Sequence, residues 1–215
     1  MYARLLAPVC LLTVGAVAAT SQSMREGSSE IDVYLRQTTG ASTVVLEAMQ
    51  RETEALMDSG SFHLQWLDEP QEVAAASLVV VHLEGSCNPW PAAVIQPAVQ
   101  RLASTSVANG RILPFINLDC AALRQFLARA LRGTLKPSPQ FLYGRALGRL
   151  LAHELYHVVG KTRDHTSAGV TRAAVSVSDL ISDQFKFGKE ALSKLHASLT
   201  SIKVEGDIGA DMDLR

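Results

Sequence analysis

The sequence predicts an α+β fold: a small mixed sheet with packed helices, one of them unusually long. Three observations carry this reading. The early part of the chain runs strand, helix, strand, strand, the pattern of a helix laid on a sheet. Asn109-Gly110 stands between two β-rich runs, a strong signal for a two-residue hairpin because both central positions of the turn take positive φ. From Pro139 to Val159 no breaker interrupts a helical pattern. The chain has 215 residues, 47% of them hydrophobic, enough for one domain with a sizeable core. That domain is expected at 31–202, with a loose acidic tail at 203–215.

The N-terminus stands apart from the fold. In "MYARLLAPVCLLTVGAVAAT", Arg4 precedes an apolar run from Leu5 that closes on Ala16, Val17, Ala18 and Ala19. This is the layout of a secretory signal peptide, 1–19, cleaved after Ala18 or Ala19. The run is too short and too rich in small residues for a good spanning helix, so no stable membrane span is expected after cleavage. The mature protein is expected to be secreted or periplasmic. Cleavage removes Cys10 and leaves Cys87 and Cys120, an even pair expected to form a disulfide in an oxidising compartment. Residues 20–30 are polar without periodicity and read as a flexible leader.

In "IDVYLRQ", Ile31, Val33 and Leu35 alternate as in a strand. "STVVLEAMQRETEALMDSG" places Val45, Ala48, Met49, Glu52 and Leu56 at helical spacing and closes on Gly60. "SFHLQWL" alternates again, and "SLVVVHLE" is continuously apolar, as in a strand buried on both faces. After the Asn-Gly hairpin, Pro114 lacks an amide donor and favours an edge strand. "CAALRQFLARALRGT" groups Leu123, Phe126, Leu127 and Leu131 on one side of a helix.

The long helix begins with Ser138 as N-cap and Pro139 in the first helical position. Ala146, Leu150, His153 and His157 share one face. Gly144 and Gly148 lie one turn apart, at a helix-propensity cost of up to about 1 kcal/mol each relative to alanine, and point to close approach of another backbone. The helix is therefore expected to be buried on more than one side. Within it, His153, Glu154, Leu155, Tyr156 and His157 form H-E-x-x-H, which sets two imidazoles one turn apart. Burying such a cluster is costly unless it is ligated, and neutral imidazoles at i and i+4 can both reach a tetrahedral Zn²⁺. Glu154 points about 100° around the helix from His153, so its expected role is general base toward a water at the ion.

A catalytic zinc usually has three protein ligands. Gly160 is expected to end the helix in the left-handed conformation, with Asp164 and His165 just beyond. Here the chain resembles the metzincin clan of zinc proteases, whose long motif is H-E-x-x-H-x-x-G-x-x-H. His153, Glu154, His157 and Gly160 match it position for position; Arg163 stands at the final histidine, and His165 follows two residues later. The segment "HELYHVVGKTRDHTSAGVTRAAVSVSDLISDQF", with "GRILPFINLDC" and "YGRALGRLLA" upstream, also resembles uncharacterised exported bacterial proteins with a zincin-like motif. Related motifs often hold a methionine in the turn beneath the metal; Thr171 stands there in this chain. The resemblance implies a zincin-like fold and His165 as third ligand. Asp164 remains an alternative, as do Asp179 and Asp183, four apart on a helix opening at Ser176 with an S-x-x-D cap.

Together these readings predict an exported zinc metallopeptidase acting on a peptide or protein substrate. Two alternatives stand beside it: a zinc-binding domain without turnover, motivated by Arg163 and Thr171, and a zinc hydrolase of non-peptide amides such as those of cell walls. With 20 Lys+Arg against 21 Asp+Glu, the net charge of -1 offers no electrostatic basis for binding nucleic acid or an anionic membrane. Nothing in the sequence bears on oligomeric state.

Overall fold

The computed structural model describes residues 29–39, 41–69, 78–90, 101–132 and 134–199. The expected signal peptide, nearly all of the expected leader and the expected tail lie outside them. Strand β1 (Ser29–Thr39) is followed by helix α1 (Thr43–Asp58), then β2 (Phe62–Leu67), β3 (Leu78–Ser86), β4 (Ala103–Ala108) and β5 (Arg111–Asp119). Helices α2 (Cys120–Leu131), α3 (Pro139–Val159) and α4 (Val177–Ile181) complete the order, with a helical segment at 189–199. Ser29 and Glu30 already belong to β1, Ser29 facing Phe62 across the sheet, so this strand begins two residues before the Ile31 expected from its alternation.

The five strands run β2-β1-β3-β5-β4. The first four run parallel to one another, and β4, alone among the described strands, is antiparallel, as the β4–β5 hairpin requires. Asn109 and Gly110 take φ of 50° and 76° at its tip, the pair of positive values the dipeptide predicted. Pro114 does not mark an edge. β5 is interior, bonded to β3 on one side and β4 on the other, and the edge is β4. The proline is accommodated because β3 pairs with β5 only from Phe115 onward and the β4 register shifts between Thr105 and Val107.

β3 buries Val79, Val81 and Leu83, while the alternate residues up to His82 are only half-buried, so it alternates where burial on both faces was expected. In α2, Leu123, Leu127 and Leu131 enter the core, but Phe126 does not; it stays 39% exposed. Cys87, after β3, and Cys120, opening α2, are joined as a disulfide, as expected from the even pair.

Ser138 accepts from the Phe141 amide and caps α3, with Pro139 in the first turn. The helix packs across α1 at the two glycines. A Cβ on Gly144 would lie 2.4 Å from the Val45 carbonyl oxygen, and one on Gly148 2.6 Å from that of Met49. The small-residue pair is therefore the contact between two backbones that its spacing implied. Buried Arg149 donates from Nε to Glu52 of α1 (2.7 Å) and from a terminal nitrogen to the Asp179 carbonyl (2.6 Å), tying α1, α3 and α4 together.

Gly144→Ala and Gly148→Ala should each lower stability by about 1–3 kcal/mol through overpacking, against the roughly 1 kcal/mol that alanine ordinarily adds to a helix interior. The midpoint of urea unfolding reads this directly, and a raised midpoint would contradict the packing described.

Candidate metal centre

α3 brings His153, Glu154 and His157 beneath β4 and β5, and the chain then folds back over them. It does so one residue later than expected. Gly160 is helical in conformation (φ −73°), and Lys161 takes the left-handed value of 45°. Lys161 N–H donates to Val158 O and Thr162 N–H to His157 O, the paired bonds of a Schellman turn with Lys161 in the position usually held by glycine. The turn returns the Thr162 carbonyl to the ring of His157, whose Nδ1–H donates to it at 2.8 Å.

A second carbonyl holds His153. Its Nδ1–H donates to Val170 O at 2.7 Å. Val170 is placed by a tight loop in which Thr166 N–H donates to Thr171 O and the two threonine hydroxyls bond at 2.5 Å. Gly169 (φ 76°) is required there, since a Cβ would lie 2.3 Å from the Lys186 carbonyl oxygen. Thr171, standing where related motifs carry methionine, is fully buried in this loop.

A carbonyl can only accept, so both Nδ1 atoms carry the proton and both neutral rings present a bare Nε2 lone pair. Those two nitrogens face each other at 3.1 Å. Two lone pairs have no hydrogen between them to share, whereas a cation between them satisfies both. Ligands of a tetrahedral zinc at about 2.0–2.1 Å lie about 3.3 Å apart, close to the spacing found. Burial depresses the pKa of both imidazoles below the ordinary histidine value, chiefly by desolvation, which favours the neutral form a metal needs. His165 completes the group: the three histidines each offer a ligand atom, and all of these lie within 4.8 Å of one another. The donor set suits a zinc ion, with imidazole nitrogens oriented by backbone carbonyls behind them.

The three aspartates turn elsewhere. Asp164 faces Lys194 at 3.9 Å. Asp179 accepts from Ser176 and pairs with Arg172 as part of the α4 capping box. Asp183 does not share a helix with Asp179, because α4 ends at Ile181; it pairs with Arg145 at 2.8 Å.

Glu154 is buried beside the histidines, and Thr105 of β4, which sequence reasoning did not single out, donates from Oγ1 to its Oε2 at 2.6 Å. Burial raises the Glu154 carboxyl above the usual glutamate range; the Thr105 hydroxyl and nearby His157, His165 and Arg101 pull the other way. The only signal for Thr105 was its place in the hairpin strand. These groups open on a cleft of about 800 Å³ between β4 and the 163–175 loop, with Val107, Ile112 and Phe126 as apolar lining.

Gly169→Ala touches none of the histidines but should shift the Val170 carbonyl away from His153. Affinity for a divalent metal should fall about 10–100-fold, as is typical when the group behind a ligand is lost. Competition with a chromophoric chelator measures it; unchanged affinity would show that the Val170 bond does not orient the ring.

No family model and no curated protein matches this chain. Among solved structures it is similar to the crystal structure of archaemetzincin from Methanopyrus kandleri, with 14% sequence identity and a TM-score of 0.49 over 83% of this chain and 99% of the other. At that level of likeness, the chemistry available to this chain rests on its own side chains.

Proposed function

We propose that the protein is a zinc metallopeptidase with a zincin-like fold, exported to the periplasm or the exterior. The observation that carries the reading is the convergence of His153, His157 and His165 on one point, with the Glu154 carboxylate beside it and a cleft open to substrate. Export is supported by the N-terminal sequence and by the Cys87–Cys120 disulfide. No helix among the described residues is long and apolar enough to cross a membrane.

His153, His157 and His165 are the residues that would hold the ion. A zinc ion there would supply Lewis acidity, polarising a carbonyl and making water acidic enough to lose a proton near neutral pH. Glu154 acts as general base. Thr105 occupies Oε2, which leaves Oε1 to accept a proton from the attacking water and pass it to the leaving amine. Burial strengthens the carboxylate as a base by destabilising its charged form. β4, the edge strand beside the cleft among the described residues, offers its outer backbone groups to an extended peptide.

The Thr105 bond also favours a second reading, a zinc-binding domain without turnover, since it engages one oxygen of the proposed base. Glu154→Gln separates the two. Under the peptidase reading it leaves zinc bound and the fold intact, while cleavage of a peptide library falls roughly 10²–10⁴-fold. A parent protein that binds zinc but cleaves nothing in the library supports the second reading instead.

His165→Ala should act differently, weakening zinc binding and making thermal stability depend on added metal. If His165→Ala keeps parental affinity while Asp164→Ala loses it, the third ligand is Asp164.

A further inference from the structure

The site cleft carries an imbalance of charge that the overall composition does not. The whole chain is nearly neutral, at -1. Around the cleft, among the described residues, three guanidiniums, those of Arg101, Arg163 and Arg172, face a single lining carboxylate, Glu154. Arg172 is partly engaged, pairing with Asp179, although its Nε is buried without a hydrogen-bond partner among the described residues. Arg101 and Arg163 are exposed, and neither forms a close ion pair among the described residues, although Arg101 lies near enough to Glu154 to favour its charged form. Arg163 lies in the loop two residues before His165, and Arg101 leads into β4, four residues before the Thr105 that holds Glu154. The two exposed cations therefore belong to the two segments that flank the proposed reaction centre.

An exposed arginine beside a cleft suits an anionic partner, and in a peptide the ordinary anion is a carboxylate. Its planar fork binds a carboxylate through two parallel, charge-assisted hydrogen bonds, while a lysine or arginine on the ligand would be repelled. Val107, Ile112 and Phe126 give the cleft apolar surface as well.

We propose that this cleft selects peptides bearing a carboxylate near the bond to be cleaved, held by Arg163 and Arg101. The proposal deepens the peptidase reading and rests on it for the meaning of the site, but its test does not require turnover. Zinc-loaded Glu154→Gln protein is titrated with three fluorescein-labelled decapeptide pools, identical except at two places. One has a central glutamate and an amidated C-terminus. The second has glutamine at that position and the same amide. The third has glutamine and a free C-terminal carboxylate.

The glutamate pool should bind about tenfold tighter than its glutamine counterpart, and the difference should shrink as added salt shortens the screening length. Placing Arg163→Glu and Arg101→Glu in the same background should abolish or reverse the preference. Both positions are exposed, so an unchanged thermal midpoint confirms that folding is intact. If only the free-carboxylate pool gains affinity, the arginines read a chain terminus and the proposal is overturned. Equal binding of all three pools, absence of binding by any, or a preference that survives both substitutions overturns the proposal. Tighter binding of the glutamate pool that disappears in the double variant, in a parent protein that cleaves nothing, sustains the proposal while the peptidase reading fails.

Discussion

The site depends on two hydrogen bonds from histidine to backbone. Donation from His153 Nδ1 to Val170 O and from His157 Nδ1 to Thr162 O fixes which nitrogen of each ring is bare and where it points. Neither carbonyl belongs to α3. One is delivered by the turn that ends the helix, the other by the Gly169 loop beyond it. The helix supplies the rings at the correct spacing, and the returning chain converts them into two lone pairs aimed at one point. Without that return, i and i+4 imidazoles on a helix are simply two neighbouring side chains.

The rest of the fold keeps α3 still while this happens. Its glycine face lies against the backbone of α1, Arg149 links it to α1 and α4, and its other side meets β4 and β5. Residues from Leu142 to His157 are almost continuously buried. A helix packed on so many sides has little freedom to move its histidines, and orientation held in advance is what both ligation and general-base chemistry require. The single antiparallel strand, β4, then does two things: it closes the sheet beside α3 and brings Thr105 to Glu154.

Much of this was legible in residue order. The caps, the glycine pair, the Asn-Gly turn and the H-E-x-x-H spacing each express a local rule that tertiary packing did not override. The departures have physical causes. Pro114 reads as an edge residue only if the strand is paired along its whole length, and here the pairing with β3 begins one residue after it. Gly160 reads as the left-handed residue because glycine adopts that conformation most easily, yet Lys161 bears it in a Schellman turn. Thr105, Arg101 and the carbonyls of Thr162 and Val170 carry no local pattern at all. They are 49, 53, 5 and 17 residues from the side chains they serve or approach, and only the folded chain brings most of them near. The 189–199 segment buries Ala191, Leu195 and Leu199, an apolar stripe that is short and thin in the sequence.

The central claim is that three histidines of this chain hold one zinc ion. X-ray absorption at the zinc edge of the purified protein, combined with metal analysis, tests it most directly. The account predicts about one zinc per chain, with three imidazole nitrogens and one further light atom at roughly 2.0–2.1 Å. A stoichiometric ion with sulfur in its shell or with only one imidazole, or full zinc occupancy in the His153→Ala, His157→Ala double variant, would contradict it.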